Sequence, residues 1–169
     1  MMKRQHSRSD HLYEMNGQLQ KGEAAETQLD QHFADRFQIV PATREQQRQG
    51  IDRLFTHRET AKSYTIEYKT DWTAGRTGNA FVETVSVDME GIPGWAYSSQ
   101  ADWLAYYVPG NATIYLIRFT HLRVQLPQWL RTCKAAPPIP NRGYHTLGIL
   151  VPLTEFAQAA SRIEVLQQR

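Results

Sequence analysis

Two short runs of strand-forming residues, at 51–56 and 64–69, constrain the fold of this chain more than any other sequence feature. A largely polar stretch at 57–63 separates them, and runs joined in this way are typical of an antiparallel β-hairpin. A helix is predicted before the hairpin, beginning near Gly22, because apolar residues recur there at helical spacing. The members of this stripe are Ala24, Ala25, Leu29, Phe33 and Phe37.

The remaining predicted elements alternate between strands and helices. Strands are predicted at 80–87, 113–119 and 146–151, and helices at 101–107, 121–134 and 154–166. Residues 39–40 are either a short strand or the exit from the first helix. Pro127 lies inside the second of these helices and is expected to kink or restart it. The order predicts an α/β (α+β) fold, in which a mixed central sheet is flanked by helices. The 169 residues are expected to form one domain at 22–169, preceded by a loose polar arm at 1–21.

Cysteine usage and hydropathy bear on the compartment. The chain has one cysteine, Cys133, which has no partner within the chain for a disulfide. This usage is typical of a reducing compartment, so a cytoplasmic location is expected. No apolar run approaches the roughly 18 residues that a membrane-spanning helix needs, so no membrane partner is expected.

Charge is distributed unevenly along the chain. Residues 51–110 carry five Lys or Arg against eight Asp or Glu, whereas residues 111–169 carry seven against two. Arginine outnumbers lysine by 14 to 5, and its planar guanidinium suits bidentate contact with phosphate. An acidic middle beside a basic C-terminal third favours a metal-dependent enzyme acting on a polyanion. The alternative is a surface on which charge happens to segregate.

Four arginines are the candidate nucleic-acid contacts. Arg118, Arg123 and Arg131 lie in a stretch without acidic residues, although some of them could instead cap or bridge elements of the fold. Arg76 lies with Trp72 in a loop at 71–79 that could order against a nucleic-acid groove or simply connect two strands.

The chemistry-bearing residues lie on the hairpin. Side chains alternate along a strand, so Glu67 and Lys69 share one face, and pairing can bring Asp52 of the partner strand near Glu67. Two carboxylates at one place repel each other, and a divalent cation relieves the repulsion. Their hard oxygen atoms would select Mg²⁺ or Mn²⁺. The alternative is a solvated Glu67–Lys69 pair on an edge strand, which is worth under about 1 kcal/mol.

Asp52 followed by Glu67-Tyr68-Lys69 resembles the motif of the PD-(D/E)xK nuclease superfamily, which has the restriction-endonuclease-like fold. Ile51 stands where the name of the motif has proline. The resemblance implies an αβββαβ core and metal ligation by Asp52, Glu67 and the backbone carbonyl of Tyr68. It also implies that Lys69 orients the attacking water or offsets charge in the transition state.

The same resemblance implies further residues and partners. An extra acidic ligand often lies on the first helix of the superfamily, where Glu26 or Glu23 stands here, and Glu83 on the next strand is another candidate. The implied activity is Mg²⁺-dependent cleavage of DNA by a homodimer, in restriction, junction resolution, repair or mobile-element biology. Two alternatives remain open, a catalytically silent nucleic-acid-binding module of this fold and a protein-interaction domain of another fold.

An aromatic cluster follows the third strand. We expect these side chains to belong to the core, although such residues can also stack on bases. The members are Trp95, Tyr97, Trp103, Tyr106 and Tyr107.

Overall fold

The computed structural model describes residues 8–167 as a mixed α+β fold. Its strands are β1 (Phe37–Pro41), β2 (Arg53–His57), β3 (Ser63–Thr70), β4 (Asn79–Val87), β5 (Ile92–Pro93), β6 (Trp103–Val108), β7 (Thr113–Arg118), β8 (Lys134–Ala135), β9 (Ile139–Pro140), β10 (His145–Pro152) and β11 (Arg162–Val165). Its helices are α1 (Arg8–Phe33), α2 (Arg44–Arg48), α3 (Ala74–Thr77), α4 (Trp95–Ser98), α5 (Phe119–Thr132) and α6 (Leu153–Ala159).

Two sheets organise the molecule. The larger one has the order β1-β2-β3-β6-β7-β11, and it is mixed because β3 and β6 run parallel while the other neighbours are antiparallel. The smaller one has the order β5-β4-β10-β8, with β9 also pairing β10. The mixed sheet flanked by helices agrees with the predicted fold class.

Alternation along β3 sends its side chains into two different layers. Ile66 and Tyr68 pack under α1, in a cluster that includes Leu29 and Phe33. The opposite face of the larger sheet packs against the smaller sheet, α5 and α6, in a second cluster. Glu67 and Lys69 therefore lie on the side of the sheet away from α1.

The predicted hairpin is confirmed, whereas the predicted apolar stripe of the first helix is confirmed only in part, because Ala24 is exposed and Phe37 lies in β1. β2 and β3 pair antiparallel, with Arg53 opposite Ile66. Ala25, Leu29 and Phe33 are buried, because they form the stripe of α1 that covers the sheet. The strands predicted at 113–119 and 146–151 correspond to β7 and β10.

The helix predicted at 101–107 is wrong, since β6 occupies this segment. Leu104, Ala105, Tyr106, Tyr107 and Val108 are all buried, which requires both faces of the segment to be covered. A strand between parallel β3 and antiparallel β7 satisfies this demand and pairs its backbone on both sides.

The helix predicted at 154–166 is wrong in its second half. α6 ends at Ala159, and β11 then pairs with β7, with Ile163 opposite Tyr115. β-branched side chains favour a strand when a free sheet edge lies within reach. This pairing is not visible in the local sequence.

Three further expectations need correction. The strand predicted at 80–87 forms as β4, but it belongs to the smaller sheet and not to the central one. The helix α1 begins at Arg8, so residues 8–21 of the expected loose arm are helical, and residues 1–7 lie outside the described part. Isolated glycines such as Gly17 cost a helix only about 1 kcal/mol and do not end it. Pro127 lies within α5, which continues to Thr132 without restarting.

Candidate functional site

Glu67 is a buried carboxylate in the middle of the larger sheet. Its exposed fraction is 3%, and its Oε1 lies 2.6 Å from the Nζ of Lys69. Its Oε2 is buried without a hydrogen-bond partner among the described residues. A buried carboxylate oxygen of this kind is costly, so a group that completes it is expected in the functional state.

The surroundings of Glu67 act on its pKa in opposite directions. Burial raises the pKa, the ammonium of Lys69 and the nearby Ser99 hydroxyl lower it, and the negative charge of Asp52 raises it further. The pKa of Glu67 therefore lies above its ordinary value. The Glu67–Lys69 pair is therefore not a solvated ion pair on an edge strand. Strand β3 is central in the sheet, and the Glu67 carboxylate is buried.

Asp52 immediately precedes β2 and makes two hydrogen bonds to β3. Its amide donates to the Ile66 carbonyl at 2.8 Å, and its Oδ2 accepts from the amide of Tyr68 at 2.8 Å. The Asp52 carboxylate is close enough to Glu67 for its negative charge to raise the pKa of Glu67. The structure thus brings the two predicted carboxylates together beside Lys69.

Ser99 closes one side of this site, and sequence reasoning missed it. It is 2% exposed and lies beside the Glu67 carboxylate, but its hydroxyl proton is directed to the Gly50 carbonyl at 3.0 Å. Gly50 has a φ of +74°, and a Cβ there would lie 2.9 Å from the Cα of Ser99. This close approach requires glycine at position 50. Because Ser99 is distant from Gly50 and Glu67 in sequence, no local sequence pattern could have revealed its place in the site.

Glu83 brings a third carboxylate near Lys69 from the smaller sheet. Its Oε1 accepts from the Trp95 amide at 3.3 Å, and the side chain is partly buried. Burial raises the pKa of Glu83 more than the Trp95 amide and the Lys69 ammonium lower it. A Cβ at Gly94 would lie 2.7 Å from the Cγ of Glu83, so glycine is needed for this approach. The second wall of the site thus comes from β4.

Glu26 does not reach this site. Its Oε2 accepts from the Nη2 of Arg53 at 2.9 Å, and the Nε of Arg53 is 3.1 Å from Asp30. Arg53 stacks on the Tyr68 ring, with 5.4 Å from its Cζ to the ring centroid, and therefore lies on the α1 side. The prediction of Glu26 as a catalytic residue is corrected accordingly, because the sheet separates it from Glu67. Glu23 is an exposed residue of the same helix.

The four candidate arginines have different environments. Arg123 donates to the carbonyls of Ala96, Tyr97 and Ser99, so it ties α5 to the end of α4. The Cζ of Arg118 lies 4.7 Å from the centroid of the Trp103 ring. The guanidinium groups of Arg123 and Arg118 thus already contact other parts of the fold.

Arg76 and Arg131 are exposed, and neither forms an ion pair with a described residue. The stretch without acidic residues, 103–154, therefore does not form one uniform basic surface, because the Arg123 guanidinium is used in hydrogen bonds to backbone carbonyls.

Most of the aromatic cluster belongs to the core, as expected. Trp95, Tyr106 and Tyr107 are buried, whereas Trp103 is partly buried and Tyr97 is exposed. The hydroxyl of Tyr106 donates to Oδ2 of Asp71, a contact that fixes the loop after β3.

No group of three or more His, Cys, Asp or Glu side chains that could hold a metal ion occurs within residues 8–167. No helix in that part of the chain is long and apolar enough to cross a membrane. Comparison with protein-family models, with curated proteins and with solved structures finds no match to this chain.

Proposed function

We propose that this protein is a metal-dependent nuclease that hydrolyses phosphodiester bonds of DNA. The observation that carries the proposal is the buried Glu67 carboxylate, whose Oε2 has no described hydrogen-bond partner although Lys69 and Asp52 lie beside it. A protein gains no stability from such an oxygen, so it is better explained by a ligand than by the fold.

The chemistry of the donors fits Mg²⁺ or Mn²⁺. Asp52 and Glu67 offer carboxylate oxygen atoms, which hard divalent cations prefer, and the resemblance to the PD-(D/E)xK superfamily adds the carbonyl of Tyr68. A bound ion of this kind lowers the pKa of a water molecule and polarises a phosphate. Asp52 precedes β2, and its carboxylate accepts from the Tyr68 amide next to Glu67, so this hydrogen bond holds it near the Glu67 strand.

Lys69 supplies a positive charge at the site in addition to that of a bound metal ion. About a third of its side chain is exposed, whereas its partner Glu67 is buried, so the ammonium marks the opening of the site. There it can offset negative charge that develops on a phosphate and hold a water molecule in place. Glu83 lies near it on the other wall, close enough for the Lys69 charge to lower the pKa of Glu83.

DNA is the proposed substrate because the C-terminal third of the chain is basic and rich in arginine. A single site of this type cuts one strand, so the proposal includes a homodimer for cleavage of both strands. Arg76 and Arg131 are the exposed arginines among the candidate contacts.

The direct test is incubation of the purified protein with plasmid, linear, branched and single-stranded DNA, with and without Mg²⁺. Glu67→Gln and Asp52→Asn should abolish cleavage, whereas Asp52→Asn should leave or improve DNA binding because it removes a negative charge that faces phosphate. Glu90→Gln is the matched control, since Glu90 is exposed in the turn after β4.

Each outcome decides between the candidate functions. Binding without cleavage would replace the nuclease by a silent nucleic-acid-binding module. Absence of both would favour a protein-interaction domain. Cleavage that persists in both site variants would place the chemistry elsewhere.

A further inference from the structure

The loop segment at 71–78, which joins β3 to β4 and contains α3, displays the one exposed tryptophan among residues 8–167. Trp72 is 52% exposed, whereas Trp95 and Trp129 are buried and Trp103 is partly buried. A single exposed apolar residue is ordinary on a protein surface, so exposure alone does not suggest a role. The position and the rigidity of this loop are what suggest a role for Trp72.

The loop is held in one conformation by the Asp71 carboxylate. Oδ1 accepts from the Thr73 amide and hydroxyl and from the Ala74 amide, at 2.8–2.9 Å. Oδ2 accepts from the Phe81 amide at 3.1 Å and from the Tyr106 hydroxyl at 2.6 Å. Asp71 therefore ties the start of the segment to β4 and β6.

A second attachment holds α3, the short helix within this segment. A Cβ built on Gly75 would lie 2.8 Å from the Cα of Gly110, so the two backbones are in close contact there. An ordered loop presents a side chain to a ligand without the entropy cost of arranging it on binding. Trp72 is thus on a pre-organised support.

The loop also begins next to the proposed site. Trp72 follows Lys69 by three residues, so their Cα atoms are at most about 11 Å apart. Successive bases of a strand rise by about 3.4 Å, so this distance corresponds to about three nucleotides. Arg76, four residues further on, is exposed and forms no ion pair with the described residues.

We infer that Trp72 stacks on an unpaired base of the substrate strand, close to the phosphate at Lys69, while Arg76 contacts a neighbouring phosphate. This inference rests on the proposed nuclease function. Stacking on an indole tolerates any base, because every base has a π-face, and it requires a base that is not covered by its neighbours. The substrate is therefore a single strand, or a duplex with an unpaired segment beside the cut.

The test is binding of a labelled oligothymidylate in EDTA, which prevents cleavage, followed by fluorescence anisotropy and by tryptophan emission. Binding should quench the emission of the wild-type protein. Trp72→Ala should lose this quenching and weaken affinity by at least about fivefold, whereas Trp72→Phe should retain most of the affinity. Met89→Ala is the matched control, because Met89 is a strongly exposed apolar residue in the turn between β4 and β5.

A blunt duplex provides the second arm. Its affinity should change little in Trp72→Ala, while Arg76→Ala should shallow the salt dependence of both probes by about one unit of log–log slope. A wild-type protein that cleaves DNA while Trp72→Ala binds oligothymidylate within about twofold of it would overturn the stacking role and leave the nuclease intact. A wild-type protein that neither binds nor cleaves any probe would overturn both.

Discussion

The hydroxyl of Tyr106, in the centre of the larger sheet, donates a 2.6 Å hydrogen bond to Oδ2 of Asp71, at the start of the loop after β3. Tyr106 is 2% exposed, so the bond is shielded from water. Burial alone would raise the pKa of Asp71, but the Tyr106 hydroxyl and the amides of Phe81 and Thr73 outweigh it, and the pKa lies below its ordinary value. The carboxylate is therefore an ionised anchor that joins the sheet to the loop.

Tyr106→Phe should lower the free energy of unfolding by about 1.5–3 kcal/mol, because it removes a buried hydrogen bond to a charged group. Tyr115→Phe is the matched control, since Tyr115 is also buried and its hydroxyl bonds to no described residue. Urea denaturation of the two variants measures the difference. Equal losses of stability would contradict the anchoring role.

The Glu67–Lys69 pair should respond asymmetrically to substitution. Glu67→Gln removes a buried charge, so the free energy of unfolding should stay within about 1 kcal/mol of the wild type or rise. Lys69→Met leaves that charge without its partner and should cost more than about 1 kcal/mol. Thermal and urea unfolding test this, and a larger loss for Glu67→Gln would show that the carboxylate serves the fold.

Glu164 should make the protein sensitive to acid. Burial acts to raise the pKa of Glu164, but hydrogen bonds from Arg36 and His32 and the charges of Arg36 and Arg162 outweigh it and set the pKa below its ordinary value. A depressed carboxylate pKa stabilises the fold above the unfolded value, about 4.3, and this stabilisation is lost as the pH falls through the folded pKa.

Glu164→Gln should therefore flatten the acid side of the stability profile. The measurement is the urea midpoint at a series of pH values from neutral down to about 3. Profiles of wild type and variant that superimpose, apart from a constant offset, would show that ionisation of Glu164 does not matter.

Glu26→Gln should leave DNA cleavage intact, because Glu26 pairs with Arg53 on the α1 side of the sheet. Its side chain is 42% exposed, so losing the ion pair should cost under about 1 kcal/mol of stability. Cleavage assays beside Asp52→Asn give the comparison. A loss of cleavage with an unchanged melting temperature would return Glu26 to the site.

Arg131→Ala should weaken binding to all DNA sequences alike and shallow the salt dependence by about one log–log unit, because a phosphate contact carries no sequence information. Arg123→Ala should instead lower stability, since Arg123 donates to three carbonyls near the end of α4. Salt titrations and melting curves separate the two effects. A stable Arg123→Ala variant with a shallower slope would reverse this assignment.

Predictions from the sequence held where a local pattern matched its tertiary surroundings. The polar stretch between two strand-forming runs led to the β2–β3 hairpin, and the spacing of Ala25, Leu29 and Phe33 led to the buried stripe of α1. They failed at 101–107, because strand and helix cannot be told apart in a short apolar segment that is buried on both faces.

The sequence by itself determined which residues are proposed for the chemistry. Asp52, Glu67 and Lys69 follow from strand alternation and hairpin pairing, both of which are local. The tertiary structure alone decided that Glu67 is buried with an unpartnered oxygen, that Ser99 and Glu83 wall the site, and that Glu26 is on the other face. Those facts depend on how two sheets and a helix pack across long sequence separations, and side-chain burial is a property of that packing.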